Sequence, residues 1–289
     1  MWQAEQVRQR LAALYPGISL NVLGVPGPVD HGSRATGCER TTMIKDLEAA
    51  MADGRADLAV HALKNLPSEV TPGFTIAGIT AREDPRDAFV SPRFRSLDEM
   101  PEGAVVGTSS MRRHAQLRER RPSLVVKSLR GDIEARLRAL DSGCCDALIV
   151  AASSLKRAGH CSRIGTMLEP DESLPAPGQG ALAVECRSDR PELVAALARL
   201  GDPATTLATT AERAFSRVLG DTAVAPLAAY AEWEEGALWL RGLIASGSGE
   251  ALLRGERDAD VDDVEGAQAL GRDLADEFLA RGAARLLSA

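Results

Sequence analysis

Between residues 104 and 158 the chain repeats one pattern three times: a short apolar run, a polar turn, then a helix. AVVGTSS leads into MRRHAQLRERRP, LVVKSLRGD into IEARLRALDSG, and CDALIVA into ASSLKRAG. Short runs rich in Val, Ile and Ala, bounded by polar turns, predict buried strands. Strands that alternate with helices build a parallel or mixed sheet covered by those helices. Ligands of such sheets bind beyond the carboxyl ends of the strands. The polar residues gather there: Thr108, Ser109 and Ser110 after the first run, Arg130 after the second, Ser153 and Ser154 after the third.

The segment before this block carries the same alternation. A helix over MWQAEQVRQRLAALYP ends at Pro16-Gly17, ISLNVLGV alternates as a strand, and GPVDHGSRATGCERTT is a long polar loop. MIKDLEAAMADG is then a helix stopped by Gly54, and DLAVHALKN is the next strand. LPAPGQGALAVECR has the character of a crossing back to this first part, with glycines that let backbone approach a ligand closely. From about residue 200 the pattern changes to a smaller α+β region: helix TTLATTAERAFSRVLG, strand ALWLRGLIAS, and a final helix AQALGRDLADEFLARGAARLLS. The expected domains are 1–81 with 177–199, 82–176, and 200–289.

Composition narrows the class. Aromatic residues make up 3% of the 289, so the core is aliphatic. No stretch approaches the roughly 20 apolar residues that span a bilayer. The N-terminus is charged from Glu5 and resembles an amphipathic helix more than a signal peptide, which predicts a cytoplasmic protein without membrane contact. The five cysteines are odd in number and show no CxxC spacing, which argues against a disulfide framework or a zinc site. A net charge of −7 gives no general attraction to nucleic acid. The basic residues nevertheless cluster in the middle of the chain and the acids near ERDADVDDVEG, as a local anionic ligand would require.

VVGTSSMRRHAQL is the most informative motif. Ser and Thr at a helix start cap its free N–H groups, and the same donors with the helix dipole attract an anion. Arg112 and Arg113 fall in the first turn, where they oppose that dipole. An anion held there would explain them, and the bidentate fork of arginine favours a carboxylate; a solvated basic face is the alternative. Arg130 and Arg136 repeat the theme at the next turn, where Arg136 also suits a surface ion pair. Lys64 in HALKN is open to three readings: a Schiff-base lysine, an anion contact or a surface residue. His61 is expected to be a satisfied core histidine, and REDPRDAFVS a buried ion-pair network at a hinge between the two α/β units, in preference to a direct role in chemistry. The chain has no Walker motif, GxGxxG or nucleophile elbow.

Together these motifs resemble those of the hydroxymethylbilane synthase family, also called porphobilinogen deaminase. The likeness runs through RADLAVHALKN, REDPRDAFVS, VGTSSMRRHAQLRERRP, SLRGDIEARLRALDSG, LKRAG and LPAPGQGALAVECR, and on into TAERAF and WLRGLI. It implies two type II periplasmic-binding-protein-like α/β domains plus a small C-terminal α+β domain, in a monomer. It also implies an enzyme that joins four porphobilinogen units head to tail, releasing ammonia, on a dipyrromethane cofactor thioether-linked to a cysteine. Thr108, Ser110, Arg112, Arg113, Arg130, Arg136 and Arg157 stand at the family's carboxylate-binding positions. Lys64 matches the lysine of the family's H-S-M-K-D, and Gln179 and Gly180 match its G-Q-G.

The resemblance breaks at the positions the family's chemistry uses. Asn65 replaces the aspartate and Ala62 the serine; Ala223 stands at the cofactor cysteine, after Asp221-Thr222 in place of Gly-Gly. Arg40, in GCERT, lies near the lysine of the family's G-G-K-G loop, and the family's first strand would precede Met1. The expectation is a protein that binds porphobilinogen or a related carboxylated pyrrole and carries no covalent dipyrromethane. It is either a repurposed deaminating or C–C coupling transferase, a catalytically dead binding or regulatory protein of the tetrapyrrole pathway, or a truncated or inactivated synthase. Cys38 is a candidate substitute thiol.

Overall fold

The computed structural model describes residues 2–25, 38–220 and 226–287; the side chains of 38–41 lie outside that set. In chain order the elements are α1 (Trp2–Leu14), α2 (Cys38–Ala52), β1 (Leu58–Ala62), β2 (Phe74–Ile79), β3 (Asp87–Val90), β4 (Val105–Gly107), α3 (Met111–Arg120), β5 (Val125–Lys127) and α4 (Ile133–Asp141). There follow β6 (Ala147–Ala151), α5 (Ala152–Arg157), β7 (Thr166–Leu168), β8 (Leu182–Arg187), α6 (Pro191–Ala198), α7 (Pro203–Leu219), β9 (Leu227–Glu234), β10 (Ala237–Ala245), β11 (Leu252–Ala259), α8 (Val264–Ala280) and α9 (Ala283–Leu287). The chain forms two compact units, Met1–Arg82 with Ala181–Thr206, and Glu83–Gly180 with Leu207–Ala289.

The first unit is built on a three-stranded sheet in the order β1-β8-β2, antiparallel throughout. The crossing segment does return here: β8 (LAVECR) is the central strand, with Leu58 opposite Cys186 and Ala62 opposite Leu182. A central strand is covered on both faces, and β8 is buried from Leu182 to Cys186. Val7 and Leu11 of α1 pack with Leu182, Val184 and Leu197 on one side of it.

Two expectations fail in this unit. ISLNVLGV is not a strand: residues 18–25 pair with no strand among the described residues, and Ile18 and Leu23 stand exposed. Its alternation supplies β propensity, but a strand exists only through a hydrogen-bonded neighbour. The second helix begins at Cys38, inside the stretch read as loop.

The second unit holds the three predicted rounds, as β4–α3, β5–α4 and β6–α5. Its five-stranded sheet has the order β5-β4-β6-β3-β7. Strand β4 runs parallel to β5 and β6, while β3 lies antiparallel to both β6 and β7. This is a mixed α/β sheet with one reversed strand, β3, next to its edge. Gly107 closes β4 because a Cβ there would lie 2.5 Å from Leu129 Cδ1 and 2.8 Å from Leu148 Cδ2. That close approach fixes where the chain leaves the sheet into Thr108–Ser110.

The C-terminal part of this unit has its own core. Helices α7 and α8 cover the antiparallel sheet β11-β10-β9, and Phe215 meets Phe278 edge to face at 5.0 Å between ring centroids. The final helix predicted as one piece is two, α8 and α9. The break falls at Gly282, whose φ of +94° is left-handed and ends a helix at little cost. Strands β9 and β11 escaped the sequence reading because their ends are charged; β11 is a half-exposed edge strand, LLRGERDA.

Helix α8 approaches α7 through Gly271. A Cβ at 271 would sit 2.2 Å from the Ala211 carbonyl oxygen and 2.7 Å from Ala214 Cβ. Gly271→Ala is therefore expected to lose about 2 kcal/mol or more of stability in urea unfolding. Gly247→Ala, where a Cβ meets nothing within 4 Å, should change it by only a few tenths.

A buried arginine–aspartate cluster as the candidate active site

Asp87 opens β3, a strand buried along its whole length. A carboxylate taken out of water needs its oxygens filled, and the second unit fills all of them. Oδ2 accepts from Arg112 Nη2 at 2.8 Å and from Ser173 Oγ at 2.8 Å. Oδ1 accepts from Arg113 Nη2 at 2.7 Å and from Gln179 Nε2 at 2.8 Å. Successive helix residues point about 100° apart. Arg112 and Arg113 both reach Asp87 because the carboxylate lies between their two directions.

Burial alone would raise the Asp87 carboxyl. The charges of Arg112 and Arg113, with hydrogen bonds from Arg113 and Gln179, outweigh it and hold Asp87 well below the usual carboxylate range. Burial also lowers Arg112, against the pull of Asp87. Two guanidinium groups and one carboxylate leave the cluster one positive charge in excess. Arg112 Nη1 donates to the Leu174 carbonyl, and Arg113 Nη1 donates to the Ile149 carbonyl at 3.3 Å. Arg113 Nε is buried and has no hydrogen-bond partner among the described residues.

The turn before α3 holds the cluster in place. Ser110 is the N-cap, accepting from Arg113 N at 3.4 Å, and Thr108 Oγ1 accepts from Ser110 N at 3.3 Å. Thr108 itself is buried, its N–H bonded to the Lys127 carbonyl at 3.0 Å. Gln179 also donates to the Pro85 carbonyl at 2.6 Å, and the Gly180 carbonyl accepts from Glu83 N at 3.3 Å. Gln116 grips Leu174 from both sides, accepting from its N–H at 2.7 Å and donating to its carbonyl at 3.1 Å.

Arg157 ends α5 with its Nε on the Ser153 carbonyl and Nη2 on Ser153 Oγ, both at 2.7 Å. Its Nη1 is buried without a hydrogen-bond partner among the described residues. Burial lowers Arg157, and the negative charge of Glu83 opposes it in part. Arg130 is exposed, whereas Arg136 is half-buried and donates from Nε to the Gly131 carbonyl at 2.9 Å. Asp132 caps α4 behind them, accepting from Ala135 N at 2.7 Å.

In the first unit, Lys64 and Asn65 form a single 3-10 turn, Leu63–Asn65, directly after β1. Both are half-buried, and the turn is fastened by Leu63 N on the Ala181 carbonyl at 3.0 Å. His61 is a satisfied core histidine, 2.9 Å from Glu185 with both side chains buried. The side chains of Arg40 and Cys38, and the whole of Ala223, lie outside the described residues.

REDPRDAFVS does form a buried ion-pair network, as expected, with Asp87 at its centre. The sequence reading missed Ser173 and the Leu174 carbonyl. It also missed Glu212 of α7, which accepts from Gly178 N at 2.6 Å and from Ala231 N at 2.9 Å. One signal was available: an aspartate opening an otherwise apolar strand must find donors elsewhere in the fold.

The fold and cluster define an α/β protein whose second unit encloses a desolvated group of two guanidinium ions around one carboxylate. Residues 1–195 match the family described as porphobilinogen deaminase, dipyromethane cofactor binding domain, and residues 206–280 match porphobilinogen deaminase, C-terminal domain. The porphobilinogen deaminase of Laribacter hongkongensis is 49% identical over 100% of this chain and 94% of its own length. That of Paraburkholderia phymatum is 48% identical over 100% of this chain and 89% of its own. The chain belongs to the porphobilinogen deaminase family. Among solved structures, the methionine binding protein MetQ overlays 68% of this chain and 84% of its own at a TM-score of 0.45 and 14% identity, too slight a likeness to carry an argument.

An acid limb of stability follows from Asp87. Its folded value lies below the unfolded value near 4, so its contribution is complete above that value and is lost as pH falls beneath it. Urea unfolding from pH 7 to pH 2.5 should show stability falling steeply below about pH 4. A profile that stays flat through this range would mean that Asp87 is not held ionised.

Proposed function

We propose that this chain binds porphobilinogen, or a related pyrrole bearing carboxylates, and acts on it as a deaminating, C–C coupling transferase without a covalently held dipyrromethane. Arg157 carries the reading. Its guanidinium is half-buried, ion-pairs with no carboxylate among the described residues, and leaves a buried Nη1 without a hydrogen-bond partner among them. Such a group gains most from an incoming carboxylate. The excess charge of the Arg112–Arg113–Asp87 cluster supports the same ligand class. Thr108, Ser110, Arg130, Arg136, Gln179 and Gly180 complete the proposed binding set, with Arg40 from the altered loop.

Lys64 and Asn65 are the proposed counterparts of the family's lysine and aspartate. An amide at 65 keeps the shape of the acid and removes its negative charge. One preorganised group aimed at developing charge is often worth about 3 kcal/mol. At 223 the side chain is a methyl group, which cannot form a thioether, so a dipyrromethane anchored there does not fit this sequence. The proposed setting is a cytoplasmic monomer acting on a small molecule, without nucleic acid or membrane. Among the described residues no helix is long and apolar enough to cross a membrane. Asn65 favours one second reading, a family member that binds the pyrrole and does not turn it over.

Incubation of the purified protein with porphobilinogen decides between them, read by calorimetry, ammonia release and intact mass. Binding with ammonia release above a buffer control supports the transferase; binding alone supports the second reading; no binding removes both. A mass increase of two pyrrole units would overturn the claim that no dipyrromethane is attached. Arg157→Gln should weaken binding roughly 10- to 100-fold, the loss of about 1.5–3 kcal/mol for a charged hydrogen bond. Unchanged affinity in that variant would count against the proposed site.

A further inference from the structure

We infer that Asp87 is a positioning residue: it aims the Arg112 and Arg113 guanidinium groups at the ligand's carboxylates by occupying one nitrogen of each. The inference rests on the proposed binding of a carboxylated pyrrole.

Three observations carry it. First, each arginine gives Asp87 only one terminal nitrogen, Nη2, and each donates its other terminal nitrogen to a backbone carbonyl, of Leu174 or of Ile149. A planar guanidinium held at two nitrogens has its plane fixed. Second, the holder is itself immobile. Asp87 lies in a strand paired on both sides, opposite Ala151 and Leu168, and its remaining acceptor positions are filled by Ser173 and Gln179. Third, the clamp leaves Arg113 Nε buried and unsatisfied. A network serving stability alone would gain by matching that donor. Here that donor stays unmatched, and the cluster keeps one positive charge in excess.

Electrostatics and positioning predict opposite signs when the carboxylate is removed. Asp87→Asn adds one positive charge to the cluster. If Asp87 only tempered the charge of the arginines, the variant would bind an anion more tightly. If Asp87 only held the fold together, the folded fraction would bind as the wild type does. If Asp87 aims the arginines, affinity falls in spite of the added charge, because the amide oxygen can hold one arginine and its NH2 group repels the other.

The experiment is calorimetric titration of wild type, Asp87→Asn and Ser173→Ala with porphobilinogen, on samples shown to be folded by urea unfolding. The expected result is at least a 10-fold loss of affinity for Asp87→Asn. For Ser173→Ala, which loosens Asp87 without touching either arginine or the charge, the expected loss is a few-fold. Ser173→Ala also serves if Asp87→Asn does not fold. Equal or tighter binding by a folded Asp87→Asn, or unchanged binding by Ser173→Ala when Asp87→Asn does not fold, overturns the inference while wild-type binding keeps the proposed function standing. Absence of binding by wild type overturns both.

Discussion

The ionised carboxylate of Asp87, closed off from water, sets the terms for the second unit. A charge in that position is tolerated only when paired and fully hydrogen-bonded. Its four donors come from separate parts of the chain: two from α3, one from the segment after β7, and one from the crossing before β8. Each segment must therefore be in place for any to be. Glu212 repeats the device close by, tying Gly178 of the same crossing to Ala231 of β9. Between the two carboxylates, residues 173–180 run through the unit with little freedom, although they contain neither helix nor strand.

What could be read in the sequence was local. The rounds β4–α3, β5–α4 and β6–α5 announced themselves because each strand is a short apolar run, and α3 and α4 have their own starts, Ser110 and Asp132, in the adjoining turn. What failed depended on partners far along the chain. ISLNVLGV alternates well, yet nothing among the described residues pairs with it. Arg112 and Arg113 were legible as charges in an unfavourable first turn; their partner, 25 and 26 positions earlier, was not. Two arginines at a helix start call for an anion, and the fold supplies one internally in Asp87. Gln179 was found through its motif, but nothing local said that its amide would hold a carboxylate.

On the proposed reading, recognition and chemistry sit on different residues of this chain. The arginines, Thr108, Ser110 and the Gly178–Gly180 turn are bound into a shared network, so altering one disturbs several. Asn65 sits at the end of a short turn, where a carboxamide and a carboxylate have the same shape. A protein can therefore drift at such a position while its binding framework stays intact, which is the pattern that the proposed function describes.

The placement of β8 has a consequence for how the molecule is made. Its two neighbours, β1 and β2, are complete by Ile79, whereas β8 itself begins at Leu182. At roughly 5–20 residues per second, translation takes on the order of ten seconds to cross that interval. Through that time β1 and β2 lack the strand that joins them, while all five strands of the second unit's larger sheet have emerged by Leu168. The amino-terminal sheet must thus be the later of the two to close, and the nascent chain carries two unpaired apolar strands until it does.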